Sequence, residues 1–180
     1  MHFLLPLSSN MTKSVMIRTK KITFSYKEYE KTEEIDSYDM ELVNAARHTA
    51  LNAYAPYSKF KVGAAVRLES GRIVCGANVE NAAFPSGICA ERSALSNSIS
   101  NYPEEKPIAI AIAAITKDEI TEEFPSPCGS CRQVIAEEEL RIGNPIRLIL
   151  SGRHKTMIIE SVSNLLPLQF TRKNLNINLP

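Results

Sequence analysis

Pro107-Ile108-Ala109-Ile110-Ala111-Ile112-Ala113-Ala114-Ile115-Thr116 decides the fold. Ile108, Ile110 and Ile112 alternate with Ala109, Ala111 and Ala113, and no charged side chain marks a wet face, so the run predicts a central strand buried on both sides. It is too short to span a bilayer. Such a strand needs helices above and below, and the flanking sequence supplies them. Upstream, Val43, Ala46, Ala50 and Tyr54 recur at helical spacing behind an N-cap at Ser37 or Asp39, until Pro56 stops the helix. A second helix is predicted from Cys89 toward Ser100 and a third from Cys128 to about Leu140. Residues 60–68 and 72–77 flank Glu69-Ser70-Gly71 as an antiparallel hairpin. Residues 145–150 form another strand, and residues 157–159 a weaker one ahead of a short helix over 162–166. Near the N-terminus, Ile22, Phe24, Tyr26 and Glu28 alternate with polar neighbours, a period of two that predicts an added edge strand before the charged linker 31–34. Strands alternating with helices imply an α/β fold, a three-layer sandwich with a central mixed sheet and helices on both faces.

Two stretches flank the central strand, Ile88-Cys89-Ala90-Glu91-Arg92 and Pro127-Cys128-Gly129-Ser130-Cys131-Arg132. Cys128 and Cys131 stand three apart, which in the first turn of a helix puts both thiols on one side, facing whatever lies beyond the N-terminus. Zinc is the natural occupant, and Cys89 supplies a third soft ligand, which leaves one tetrahedral position for water as in catalytic sites. Glu91 belongs to no ligand set. A carboxylate within reach of that water can take its proton and later return one to a leaving group. Cys89 and Glu91 would diverge inside a regular helix, so the helix is expected to start near Cys89. Asn78 and Glu80 stand two apart and point the same way in extended chain, an amide and a carboxylate suited to sugar hydroxyls. By themselves they read first as turn residues after a strand.

With Cys89-Ala90-Glu91 followed by Pro127-Cys128-Gly129-Ser130-Cys131, the chain resembles the zinc nucleobase deaminases, whose signature pairs a Cys or His and a Glu with Pro-Cys-x-x-Cys. Within them it is most similar to the small three-cysteine cytidine deaminases. Further matches run in order from about Ser37 to Phe170. They are Tyr54-Ala55-Pro56-Tyr57-Ser58-Lys59-Phe60-Lys61-Val62-Gly63-Ala64-Ala65, Asn78-Val79-Glu80-Asn81-Ala82 and Leu165-Leu166-Pro167-Leu168-Gln169-Phe170. The resemblance implies one zinc per subunit on Cys89, Cys128 and Cys131, and hydrolytic deamination at C4 of cytidine and deoxycytidine to uridine and deoxyuridine. Glu91 would move protons to the ring nitrogen and then to departing ammonia. It also implies that Asn78 and Glu80 hold the ribose hydroxyls, that Phe60 and the main chain at Ala90 orient the base, and that Phe170 reaches the site of a neighbouring subunit in a homotetramer. Phe60 reads equally as ordinary core. Three thiolates and a dication leave a net charge of about minus one, which Arg92, Arg132 and the positive helix ends would offset; each Arg reads equally as a surface or subunit-facing ion pair. The family role is pyrimidine salvage in the cytoplasm. Phe84-Pro85-Ser86-Gly87 stands where many members carry Tyr-Gly-Leu-Thr, which puts selectivity in doubt and leaves the reaction type untouched.

Composition agrees with a small-molecule enzyme. The 180 residues, 44% of them hydrophobic, suffice for one sizeable core with no repeat or second composition regime. The expected organisation is an N-terminal extension over 1–36, a deaminase domain over 37–170 and a tail over 171–180. A net charge of +1 argues against a surface built to grip nucleic acid, although a local patch can hide in a neutral total. Three of four cysteines sit at metal-like spacing and the fourth, Cys75, lies in a strand-like run, which fits a reducing cytosol and not a disulfide framework. Met1-His2-Phe3-Leu4-Leu5-Pro6-Leu7 lacks a basic flank and is interrupted by Pro6, so it reads neither as a signal peptide nor as a membrane segment, and Met11 is as good a start as Met1. His48 reads as a solvated helix histidine, since the ligand set is complete without it. Competing readings are an aminonucleoside antibiotic or an RNA base as substrate, or a structural zinc completed by His154. A redox Cys-x-x-Cys pair would need neither Cys89 nor Glu91.

Overall fold

The computed structural model describes residues 17–175, so the readings of residues 1–7 and of Met11 as a start lie outside the described residues. The strands are β1 (Lys27–Tyr29), β2 (Lys61–Leu68), β3 (Ile73–Ala77), β4 (Pro107–Thr116), β5 (Glu119–Ile120), β6 (Arg147–Ser151) and β7 (Thr156–Ile159). The helices are α1 (Ser37–Ala50), α2 (Ala90–Asn101) and α3 (Gly129–Ile142). One seven-stranded sheet runs β1-β7-β6-β4-β2-β3, with β5 paired to β4 off that path. It is mixed: β4 is parallel to β6 and antiparallel to β2.

The alternation along β4 sorts its side chains between two cores. Ala109, Ala111 and Ala113 pack with Leu42, Val43 and Ala46 of α1. Ile110 and Ile112 join Leu95 of α2 and Ile135 of α3 on the other face. Two glycines of the β2–β3 hairpin let the helices close in. A Cβ on Gly63 would run into the backbone of α1 at Ala46 and Ala50, and one on Gly76 into the backbone of α2 at Ser93 and Ala94. The expected sandwich is therefore present, one helix on one face and two on the other.

Local departures have local causes. α1 is capped by Asp36, whose Oδ1 accepts from the Asp39 N–H at 2.8 Å, and not by Ser37 or Asp39. It ends at Ala50, short of Tyr54, because the Tyr54 N–H donates to the Asn78 carbonyl while the Glu80 N–H donates to the Tyr54 carbonyl. The edge strand shrinks to β1, paired with β7 from Lys27 opposite Ile158 to Tyr29 opposite Thr156, since β7 ends at Ile159 and leaves residues 17–25 nothing to pair with there. The helix expected over 162–166 is a single 3-10 turn, Val162–Asn164. Pro167 disfavours helical backbone at Leu166. β5 went unread because its two-residue turn, Lys117-Asp118 at φ 51° and 62°, has the left-handed conformation usually signalled by Asn-Gly. Arg67, in β2, is a charge inside the core at 1% exposure. It donates to the Tyr38 carbonyl and to Glu41 Oε2, both at 2.8 Å, and so ties the first turn of α1 to the sheet.

Candidate active site

Cys89 and Cys128 are the residues immediately before α2 and α3, both in extended conformation, so the first turns of the two helices begin at thiols. Cys131 follows one turn into α3 and is fully buried. The Cys89 and Cys128 sulfurs lie 4.0 Å apart, those of Cys128 and Cys131 3.5 Å apart, and all three fall within 4.8 Å of one another. Tetrahedral zinc with Zn–S bonds of about 2.3 Å sets sulfurs roughly 3.8 Å apart, so the donor set fits zinc. Among the described residues no other group of three His, Cys, Asp or Glu side chains could hold a metal in this way. His154 lies between β6 and β7, outside the cluster.

The thiols differ in their surroundings. Burial pushes Cys131 up, and the nearby Glu91 charge adds to it. Burial likewise raises Cys89. Burial works the same way on Cys128 but is outweighed by the Cys131 and Ser130 N–H groups and the neighbouring thiols, which hold it below the ordinary value. Helix N-terminal N–H groups stabilise an anion in this way. A bound dication deprotonates its thiols outright.

Glu91 is 6% exposed, and burial raises its carboxyl above the ordinary range against the opposing charge of Arg92. It lines a cleft of about 460 Å³ together with Cys89, Ala90 and Cys128 at one end and Phe60, Asn78 and Glu80 at the other. Asn78 is partly committed: its Oδ1 accepts from the Val62 N–H at 2.7 Å and its Nδ2 donates to the Phe60 carbonyl at 3.1 Å. One N–H and one lone pair remain. Glu80 Oε2 accepts from the N–H groups of Tyr57 at 2.9 Å and Ser58 at 3.3 Å. The Ser58 hydroxyl and these N–H groups hold its carboxyl below the ordinary range.

Arg132 lies beside the cluster, but its Nε and one terminal nitrogen donate to the carbonyls of Pro127 and Leu165, each at 2.8 Å. The Gln133 side chain donates to the Phe170 carbonyl at 2.8 Å, so the second turn of α3 holds the C-terminal segment. Phe170 is exposed and does not line the cleft of its own chain. Sequence reasoning did not single out Ile112, whose place on the Ile face of β4 brings it to the cleft, or the edge-to-face pair of Tyr57 and Phe84, centroids 5.9 Å apart.

A mixed α/β sandwich with a three-thiol, zinc-fitting centre where two helices begin defines a class of zinc-dependent hydrolase. The family described as "Cytidine and deoxycytidylate deaminase zinc-binding region" matches residues 36–143. A cytidine deaminase of Halalkalibacterium halodurans is 38% identical over 140 residues, 75% of this chain and 96% of that protein. A blasticidin-S deaminase of Bacillus cereus is 28% identical over 144 residues, 79% of this chain and 99% of that protein. The crystal structure of cytidine deaminase from Burkholderia pseudomallei superimposes with a TM-score of 0.60 at 34% identity, covering 73% of this chain and 98% of that one. The chain belongs to the cytidine and deoxycytidylate deaminase family.

Proposed function

We propose that this protein is a zinc-dependent cytidine deaminase that hydrolyses cytidine and deoxycytidine to uridine and deoxyuridine with release of ammonia. The observation that carries the reading is the buried Glu91 carboxylate in one cleft with Cys89 and Cys128, beside the fully buried Cys131. Cys89, Cys128 and Cys131 hold one zinc per subunit. Zinc held there supplies a Lewis acid that makes water nucleophilic near neutral pH. Glu91 would take a proton from the attacking water, deliver it to the ring nitrogen beside C4, and carry the second to the departing amino group, so that cytidine and water become uridine and ammonia. Asn78 and Glu80 receive the ribose hydroxyls with their remaining hydrogen-bonding capacity. Phe60 and the main chain at Ala90 orient the base. Arg92 and the N-termini of α2 and α3 offset the thiolate charge. Arg132 contributes charge while holding the segment that follows Leu165.

Residues 37–170 form the deaminase unit, preceded by an extension over 1–36 and followed by a tail over 171–180. The enzyme works as a homotetramer in which Phe170 enters a neighbour's cleft; its exposure in the single chain supports this. It serves pyrimidine salvage in the cytoplasm, a reading supported by four free thiols. Among the described residues no helix is long and apolar enough to cross a membrane.

The test is ammonia release from cytidine and deoxycytidine by zinc-loaded protein beside Glu91→Gln. The expected result is a fall in kcat of about 10⁴-fold with zinc retained, at the upper end for a single acid–base group. If neither nucleoside reacts although zinc is bound, the substrate assignment fails. The blasticidin-S deaminase likeness and the exposed Phe84 at the cleft favour an aminonucleoside antibiotic as the second reading, and turnover of blasticidin S alone would select it.

A further inference from the structure

A second cavity, of about 770 Å³, lies among the segment after α1, the start of β2 and the turn between β4 and β5. Lys61 and Ile115 on its wall are register partners. Both share the sheet face of Gly63, against which α1 packs. The cavity is therefore on the opposite face from the catalytic cleft. Lys59, Lys61 and Lys117 line it against a single carboxylate, Asp118. Lys27, Lys155, Arg147 and Arg153 are paired with acids, whereas among the described residues Lys31 and Lys106, outside the cavity, lack an ion pair as the cavity lysines do. Among the described residues none of the three cavity lysines has a carboxylate within ion-pair distance, although the Lys59 charge is felt at Glu80 on the catalytic side.

Backbone conformation marks the same place. Of the four non-glycine residues with positive φ among the described residues, three line this cavity: Lys59 at 58°, Lys117 at 51° and Asp118 at 62°. A tight hairpin turn accounts for the geometry at Lys117-Asp118 and favours Asp at its second position, so only Lys117 is unusual there. Lys59 closes a turn in which its N–H donates to the Ala55 carbonyl at 3.1 Å, a 5→1 bond that ends on left-handed backbone, though a bulky side chain is uncommon in that conformation. Ser58 lines both cavities, and Glu80 on the catalytic side grips the N–H groups of Tyr57 and Ser58. The two cavities thus meet at the segment from Ser58 to Phe60, with Ser58 on the wall of both.

We propose that this cavity binds a phosphate group, held by the ammonium groups of Lys59, Lys61 and Lys117, and that its occupancy is felt in the catalytic cleft through the shared segment. Phosphate is an anion that three point-charge donors lining one cavity suit, and the volume leaves room for a molecule that carries it. The binding step stands independently of the substrate assigned above, while the coupling step rests on that assignment.

The experiment is calorimetric titration of zinc-loaded full-length protein with inorganic phosphate and with ribose 5-phosphate, each against potassium chloride of matched ionic strength. A Lys61→Gln/Lys117→Gln double variant accompanies it, with Lys59 left in place because of its backbone. One equivalent of either ligand is expected to bind, and the ratio of the two affinities tells free phosphate from phosphate carried on a sugar. Each ammonium removed should weaken binding by about tenfold. No heat beyond the chloride control, equal binding by the double variant, or binding of a single-stranded oligonucleotide with neither small phosphate bound would overturn the site. Saturating ligand should also shift KM for cytidine about twofold or more; bound ligand with an unchanged KM would overturn the coupling. A protein that does not deaminate cytidine would sink the function proposed above and leave the calorimetry to decide this one.

Discussion

α1 closes its own N-terminus, and α2 and α3 do not. Asp36 caps α1 by accepting from the Asp39 N–H, whereas no side-chain oxygen caps α2 or α3, which begin at Cys89 and Cys128. A helix start without an oxygen cap keeps its positive potential, and at α3 the Ser130 and Cys131 N–H groups turn it on the Cys128 thiol. On the α1 side that potential is quenched locally, and the face serves as packing. On the other side two unquenched starts meet at three thiols, and the stability forgone by omitting caps is recovered when anionic ligands and a metal occupy the place. The difference between the faces is thus chemical at the helix ends and only steric along β4.

The sharpest break in this contrast is removal of zinc. Chelation should abolish deamination and speed amide hydrogen exchange in the first turns of α2 and α3, with the first turn of α1 unchanged. Equal exchange in all three would mean that the caps and the metal do not divide the work as described. Acid should act in the same direction, because protons compete with zinc for thiolates.

A matched pair of glycine substitutions comes next. Gly63→Ala drives a methyl into the backbone of α1, and Gly76→Ala drives one into the backbone of α2 at Ser93 and Ala94, just beyond Glu91. Each should cost about 3 kcal/mol in denaturant unfolding, the upper range for overpacking, since backbone gives less than a side-chain tip. Their kinetics should separate. Protein that remains folded with Gly63→Ala should keep its kcat, while Gly76→Ala should lower kcat and zinc affinity together by displacing the helix that carries Glu91. Identical kinetic losses would show that the two faces are not independent.

What was legible in the sequence follows from the range over which each feature is specified. The thiol spacing and the Glu two residues after Cys89 are local, and a helix start places them without knowledge of the rest of the chain. The Ile/Ala alternation of β4 is local too, and it divides the two cores as the pattern predicts. The commitments of Asn78 and Glu80 are not local, because Glu80 is held by N–H groups more than twenty residues away and the Asn78 amide by the start of β2. Arg67 was illegible for the same reason: a charged residue in a strand pattern reads as exposed until Tyr38 and Glu41 are seen to cover it. The extent of β1 depends on where β7 ends, which no alternation within residues 20–29 encodes.

The smallest expected effect tests the quiet helix start itself. Spacing allowed Ser37 or Asp39 as the cap, because either polar residue can precede the apolar repeat of α1. The structure uses Asp36, and it uses Asp39 differently, as the 2% exposed partner of Arg147 on β6. Asp36→Ala should therefore cost about 1 kcal/mol, the usual value of a lost cap. Ser37→Ala, at the first helical position, should cost no more than a few tenths, as a surface change touching no cap does. Asp39→Ala should cost more than either, because it leaves Arg147 with only the longer contact to Glu160. None of the three should alter kcat, since the capped end of α1 does not reach the cleft. If Ser37→Ala proved the more damaging of the first two, the cap would sit one residue later, and the contrast between a closed start and two open ones would lose its reference point.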